Sequence, residues 1–360
     1  MIRGLRNYWA KLRRPRPEIS APDLAAEISQ IRKRSSVIAL AGKPYENNWR
    51  GVYNGALEMF PGGLLGLPHF YSRNIYSPQE LAFISDAIAQ EQFERIVFTG
   101  YAQFLRELML PLFNNSNAGS KKNIYLIYHG SLSQNADRSR DAAYLREIIE
   151  LHQRGIIHKI GFMKKGLPET LNKVAGIKSE FLITIVNEHA GMNVAPANGF
   201  NIGVFTHDSF RKNFHNQVAA ALMFDDAMVH VHQNENLEYL QSNHRLKIHP
   251  FSESYEDFLR TLGSMTMNFY VTFSECYGMV IAESLSLGVP CLAGNSSGIF
   301  DSNNELARWL LVEEYDNAEA IFHQAQKVLE NREQISKMGK EYIPHLNSIA
   351  REKLKNFLQD

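Results

Sequence analysis

The 360-residue sequence is short of cysteine, of net charge and of long apolar runs, and each shortage excludes something. Cys276 and Cys291 are its only cysteines, so neither a Cys-x-x-Cys zinc spacing nor a disulfide framework can be built, and a reducing compartment fits best. Lys plus Arg and Asp plus Glu both number 38, so the formal charge is zero. A chain-wide electrostatic hold on nucleic acid is thereby excluded, and any anion site has to be local. No apolar run approaches the roughly 18 residues of a membrane span. The basic residues near the start are followed by no apolar segment of the kind a secretory signal carries. A cytoplasmic protein is expected.

What is present is a globular composition, with 44% hydrophobic and 21% charged residues. The length suits two domains of roughly 150 to 180 residues. From residue 36 onward, short β-type runs alternate with amphipathic helical stretches. The runs are Val37 to Ala41, Arg95 to Thr99, Ile124 to Tyr128, His158 to Phe162 and Phe181 to Val186, with helices such as Pro78 to Gln90 and Ala142 to Gln153 between them. This pattern predicts an α/β fold with parallel sheets covered on both faces. The segment Asn187 to Asn201 has Gly, Pro and Asn punctuation and no apolar period, so the domain boundary is placed there. The expected division is 1–35 as a basic segment, 36–195 as the first Rossmann-like domain, 196–341 as the second, and 342–360 as a C-terminal helix that could cross back to the first. After the boundary the predicted order is strand 202–205, helix 213–223, strands 228–231 and 246–249, helix 255–262, strand 269–272, helix 279–287 and strand 290–293. Pro344 predicts a break or kink in the helical tail, with a final helix at 349–358.

Residues 271–301, VTFSECYGMVIAESLSLGVPCLAGNSSGIFD, carry the most chemistry. A strand ends near Thr272, Gly278 opens a helix, and Gly288 with Pro290 closes it before the next strand. The loop therefore lies at the carboxyl end of a parallel strand, where open α/β sheets bind ligands. Backbone amides around Gly278, Met279 and Val280 would be the unpaired donors of a helix N-terminus, a suitable seat for a diphosphate. Glu275 precedes this helix and Glu283 lies inside it.

The run Glu275, Gly278, Glu283, Ser284, Gly288, Pro290 resembles the pattern Glu-x-x-Gly-x-x-x-x-Glu-Ala-x-x-x-Gly-x-Pro of retaining GT-B glycosyltransferases of family 4, the glycosyl transferases group 1, with Ser284 in place of the common Ala. The resemblance implies a GT-B architecture, two Rossmann-like domains facing across a cleft. It also implies a hexosyltransferase-type (EC 2.4) activity that moves a sugar from a UDP-, GDP- or ADP-linked donor to a hydroxyl acceptor with retention. No cofactor beyond that substrate is implied. Glu275 would bond donor-sugar hydroxyls, Glu283 the ribose, and the backbone at Tyr277, Gly278, Met279 and Val280 the diphosphate. Arg211 and Lys212, before the helix that starts near Asn213, match the place of the family's phosphate-binding Lys; a fixed cation there stabilises leaving-group charge. Many members carry an Arg six positions before that Lys, where this chain has Thr206, so either Arg211 or His207 supplies the charge or phosphate binding is weaker. His129, after the strand 124–128, is the candidate for positioning the reacting hydroxyl.

On the acceptor side, Lys43, Asn47 and Arg50 of the loop 42–51 are candidate contacts, though the family's Gly-Gly turn is missing there. Asn295, Ser296, Ser297 and Gly298 form either a loop closing over the donor or a surface turn. His230 and His232 share one strand face without a visible third ligand, and Asp225–Asp226 is not an Asp-x-Asp, so no metal is predicted. Arg3, Arg6, Lys11, Arg13, Arg14 and Arg16 stand beside Leu5, Tyr8, Trp9 and Leu12. Residues 1–16 are thus either a peripheral contact with an anionic membrane or a basic tail. The expected acceptor is a glycan, a lipid-linked molecule or a protein, in surface glycan or glycoconjugate synthesis. Two rival readings are a nucleotide-sugar epimerase of the same fold and a silent partner of another transferase.

Overall fold

The computed structural model describes residues 21–44, 49–68, 76–115, 124–134, 139–189, 191–232, 243–250 and 254–359. Residues 1–16 and Asn47 lie outside them. The chain packs into two compact units, Met1–Tyr128 with Glu147–Gly161, and His129–Arg146 with Phe162–Asp360.

In chain order, the elements of the first half are α1 (Ala21–Arg34), β1 (Val37–Gly42), α2 (Arg50–Met59), β2 (Leu64–Leu67), α3 (Pro78–Gln90), β3 (Arg95–Thr99), α4 (Gln103–Asn115), β4 (Ile124–Tyr128), α5 (Ser139–Gln153), β5 (Lys159–Phe162), α6 (Leu167–Ala175) and β6 (Ser179–Phe181). They build a six-stranded sheet in the order β2-β1-β3-β4-β5-β6. The pairs β1–β2, β1–β3 and β3–β4 are parallel. Ile124 to Tyr128 is buried throughout, as a strand covered on both faces requires. Helix α3 begins where Pro78 fixes a helical φ and where Ser77 and Glu80 close a reciprocal capping box.

The second sheet follows from β7 (Asn201–Val204), α7 (Phe214–Leu222), β8 (Met228–His232), β9 (Leu246–His249), α8 (Tyr255–Gly263), β10 (Met267–Tyr270), α9 (Met279–Ser286), β11 (Cys291–Gly294), α10 (Asn304–Leu310) and β12 (Leu311–Val312), followed by α11 (Ala318–Glu330) and α12 (Arg332–Gln359). Its order is β12-β11-β10-β7-β8-β9, all parallel. From β7 the chain winds outward through β8 and β9, then returns to β10 on the other side of β7 and winds outward again. The switch point of the sheet is therefore between β7 and β10, where Ile202 pairs with Met267. The loops leaving these two strands hold the candidate site.

Three predicted elements differ. The run Phe181 to Val186 is not a strand beyond Phe181; residues 182–186 are buried but irregular. The Asn347 amide takes the place of a strand partner, accepting from Val186 N at 3.0 Å and donating to Val186 O at 2.8 Å. Pro344 does not break the tail, because α12 runs unbroken for 28 residues and its flanks Tyr342, Ile343, Leu346 and Asn347 are all buried. An interior proline costs about 3 kcal/mol through a lost hydrogen bond and a ring clash, and the burial of those flanks is set against that cost. The loop expected at 42–51 ends early, since Arg50 already opens α2 behind Trp49 at φ 65°. By sheet membership the changeover falls between Phe181 and Asn201; the compact units group the chain differently, with 129–146 and 162–181 in the second.

Candidate functional site

His129, Lys164, Arg211, Lys212, Tyr255, Tyr270, Glu275 and Glu283 all belong to the second unit. The loop after β7 ends in a short 3-10 turn, Phe210–Lys212, and Asn213 follows at φ 53°, a left-handed conformation that asparagine tolerates. This turn aims two cations at the loop after β10. The Lys212 ammonium donates to Glu275 Oε1 and, at 2.5 Å, to the Tyr270 hydroxyl; it also lies 4.8 Å from the Tyr270 ring centroid. Arg211 donates from one terminal nitrogen to Glu275 Oε1 at 3.2 Å and to Ser274 O at 3.3 Å. The backbone repeats the link, for Phe273 N donates to Arg211 O at 2.9 Å. Tyr270 donates to the same Glu275 oxygen at 3.3 Å.

Burial resists the charge on Glu275, yet Lys212 and Arg211, with the hydrogen bonds from Lys212 and Tyr270, hold its pKa below the ordinary carboxylate value. Lys212 is 6% exposed. Burial lowers its pKa, and Glu275 opposes that shift. Three donors converge on one carboxylate oxygen, while two cations face one anion.

Gly278 caps α9 at φ 87°, with no side chain capping the helix. Its positive φ favours glycine, and a Cβ there would lie 2.8 Å from Ile281 Cδ1, which would have to shift. Ile281 N bonds back to Gly278 O at 2.9 Å. The amides of Met279 and Val280 come before the helix's own donors, at its positive end. Glu283 is 3% exposed and accepts from the Tyr255 hydroxyl at 2.7 Å. Ser284, the departure from the usual Ala, donates to Val289 O at 2.9 Å and accepts from Asn268 at 2.8 Å, joining α9 to β10. Tyr277 is buried, its phenol has no hydrogen-bond partner among the described residues, and burial pushes its pKa up.

His129 is brought to this loop by Cys276, whose thiol donates to His129 O at 3.1 Å. Burial and Glu275 push that thiol to about 12, so it remains a donor. The His129 Nε2 is buried without a partner among the described residues, and burial lowers the ring to about 4, leaving it neutral at neutral pH. Of the two substitutes for the missing Arg at Thr206, Arg211 reaches the carboxylate, whereas His207 is exposed and Thr206 is buried.

Sequence reasoning missed Lys164, Tyr270 and Tyr255. Lys164 donates to Glu275 O at 2.9 Å and to Ser296 O, tying the Asn295–Gly298 loop to the Glu275 loop. Its one sequence signal is a Lys-Lys-Gly placed one residue after a buried strand.

The remaining candidates lie elsewhere. Lys43 is exposed after β1 in the first unit. His230 bonds to His249 and Asn201, each at 2.9 Å, while His232 packs its ring near Phe205 and Phe258. Asp225 and Asp226 are exposed before β8. Among the described residues no three His, Cys, Asp or Glu groups gather as metal ligands would.

Residues 212–343 match the family profile described as glycosyl transferases group 1. That match takes in Lys212, Glu275 and Glu283. No curated protein matches the chain by sequence. Among solved structures, HepE of Anabaena in complex with UDP and glucose is similar with a TM-score of 0.63 at 13% identity, covering 90% of this chain and 97% of that one. Sucrose-phosphate synthase of Thermosynechococcus elongatus gives 0.63 at 13%, covering 90% and 98%. A glycosyltransferase of Rickettsia africae gives 0.61 at 12%, covering 90% and 98%. At these identities the likeness is one of fold, and that fold is GT-B.

Proposed function

We propose that the chain is a retaining glycosyltransferase that binds a nucleoside-diphosphate sugar at the β7/β10 switch point and passes the sugar to a hydroxyl acceptor. The observation that carries this reading is the convergence of Arg211 and Lys212 on the single carboxylate of Glu275, beside a helix start without a side-chain cap. Such a site has an excess of positive charge at low dielectric, and a diphosphate answers it.

Lys212, with Arg211 beside it, takes the leaving-group charge as the anomeric carbon–oxygen bond breaks, and the amides of Met279 and Val280 hold the other phosphate oxygens. Glu275 keeps Oε1 on its three donors and offers its other oxygen to hydroxyls of the sugar. Glu283, oriented by Tyr255, accepts from the ribose. The neutral His129 positions the reacting hydroxyl through Nε2. Retention follows a front-face course in which the departing phosphate receives the acceptor's proton. HepE, of similar fold, was crystallised with UDP-glucose, which favours a uridine donor. Two free thiols fit a cytoplasmic setting, and a surface glycan or glycoconjugate is the acceptor class.

The test is incubation with UDP-, GDP- and ADP-sugars, following slow donor hydrolysis in the absence of acceptor. One nucleotide series should be turned over, with the released sugar first appearing in the donor's anomeric configuration. Turnover of none would sink the proposal. Conversion of the donor to an epimer would replace it with an isomerase.

A further inference from the structure

Lys164 gives its ammonium to backbone carbonyls rather than to a carboxylate. It stands in the bend between β5 and α6, half-buried, and its ammonium donates to two backbone carbonyls, Glu275 O at 2.9 Å and Ser296 O. Those carbonyls belong to the loops that leave β10 and β11. The next residue grips the second loop again, for Lys165 pairs with Asp301 at 2.6 Å. The two loops are already in contact, since a Cβ on Gly294 would lie 2.4 Å from Thr272 O. One ammonium thus fixes the peptide that precedes Cys276 and Gly278 and sets the direction of the amides that follow.

We infer that Lys164 is a positioning residue of the proposed donor site, a clamp that holds the Glu275–Gly278 loop against the 294–298 loop and keeps the diphosphate end of the site in register. The inference rests on the donor reading above. A carbonyl accepting from an ammonium makes a stronger bond than one accepting from a neutral donor, so its loss frees both loops together. It also removes one of the three cations gathered around Glu275. Glu283 is held separately, by Tyr255 and from within α9, so the ribose end does not depend on the clamp.

The two ends can be separated by experiment. Wild type, Lys164→Gln and Lys164→Arg are titrated calorimetrically with UDP and with uridine, and amide exchange is followed by mass spectrometry over 271–278 and 294–298. Lys164→Gln should weaken UDP by about tenfold, the scale of one charge-assisted hydrogen bond, and leave uridine unchanged. Exchange should rise in both loops and nowhere else in the second unit, and Lys164→Arg should restore much of both effects. Equal UDP affinity in wild type and Lys164→Gln overturns the clamp, as does faster exchange throughout the unit with UDP and uridine weakened alike. A wild-type chain that binds none of UDP, GDP and ADP removes the donor reading itself, and the clamp with it.

Discussion

Lys212 is as buried as the apolar residues around it, and its ammonium is satisfied by one shared carboxylate oxygen and one phenol. Holding a cation there is costly unless it is paired, because burial favours the neutral amine and Glu275 opposes that. Lys212→Ala should lower turnover by on the order of 10²–10³, measured as donor hydrolysis, if it stabilises the departing phosphate. An unchanged rate would move that task to Arg211. A second residue-scale prediction concerns His230, whose ring falls from 6.5 to about 4 through burial, His249 and Lys247. The unfolded chain therefore takes up its proton first, and stability falls as pH drops from about 6.5 toward 4, by on the order of 1 kcal/mol per pH unit. Urea midpoints at pH 7 and pH 5 should show this slope, and His230→Gln should remove its own share while the share of the buried His129 remains. At this scale Glu275, Gly278, Glu283 and Lys212 are legible in the sequence because fixed local spacings carry them. Lys164 and Tyr255 are not, because their partners stand 111 and 28 positions away and nothing local marks them.

Helix α9 starts at a glycine whose φ of 87° is one that residues with a Cβ rarely adopt. Gly278→Ala should cost about 1–2 kcal/mol through the left-handed backbone alone. It should also turn the Met279 and Val280 amides and weaken nucleoside-diphosphate binding more than it lowers Tm. The Asn347–Val186 contact makes the element-scale case for stability. Asn347→Leu leaves a buried amide and carbonyl unpaired and should cost about 1–3 kcal/mol for each group, read as a shift of the urea midpoint at constant slope. The same contact explains why residues 182–186 misread as a strand. Mostly apolar and buried, they satisfy the local criteria, but Leu182 N bonds back to Phe162 O and Val186 pairs with a side chain 161 positions on instead of a neighbouring strand. Strands with backbone partners, such as Arg95–Thr99, Ile124–Tyr128 and Leu246–His249, keep the bounds their β-type runs predict. The break expected at Pro344 does not occur, because the packing of a 28-residue helix is set against a local cost of about 3 kcal/mol.

For the whole molecule, zero net charge means that no global field draws a nucleotide in. Affinity for an anion must come from the local excess at the switch point, so binding should depend only shallowly on ionic strength. The two parallel sheets follow from the strand–helix alternation, and the strand order places the β7 and β10 loops side by side as any doubly wound sheet would. The acceptor side has no comparable signal: Lys43 is exposed, and no fixed spacing surrounds it. The central claim is that the diphosphate, held by Arg211, Lys212 and the start of α9, provides most of the donor's affinity. Isothermal titration of UDP, GDP and ADP against their nucleosides tests this directly. One diphosphate should bind on the order of 10²-fold more tightly than its nucleoside, as about two charge-assisted hydrogen bonds would give, and Lys212→Ala should erase most of the difference. Equal binding of nucleoside and diphosphate, or binding of neither, would contradict it.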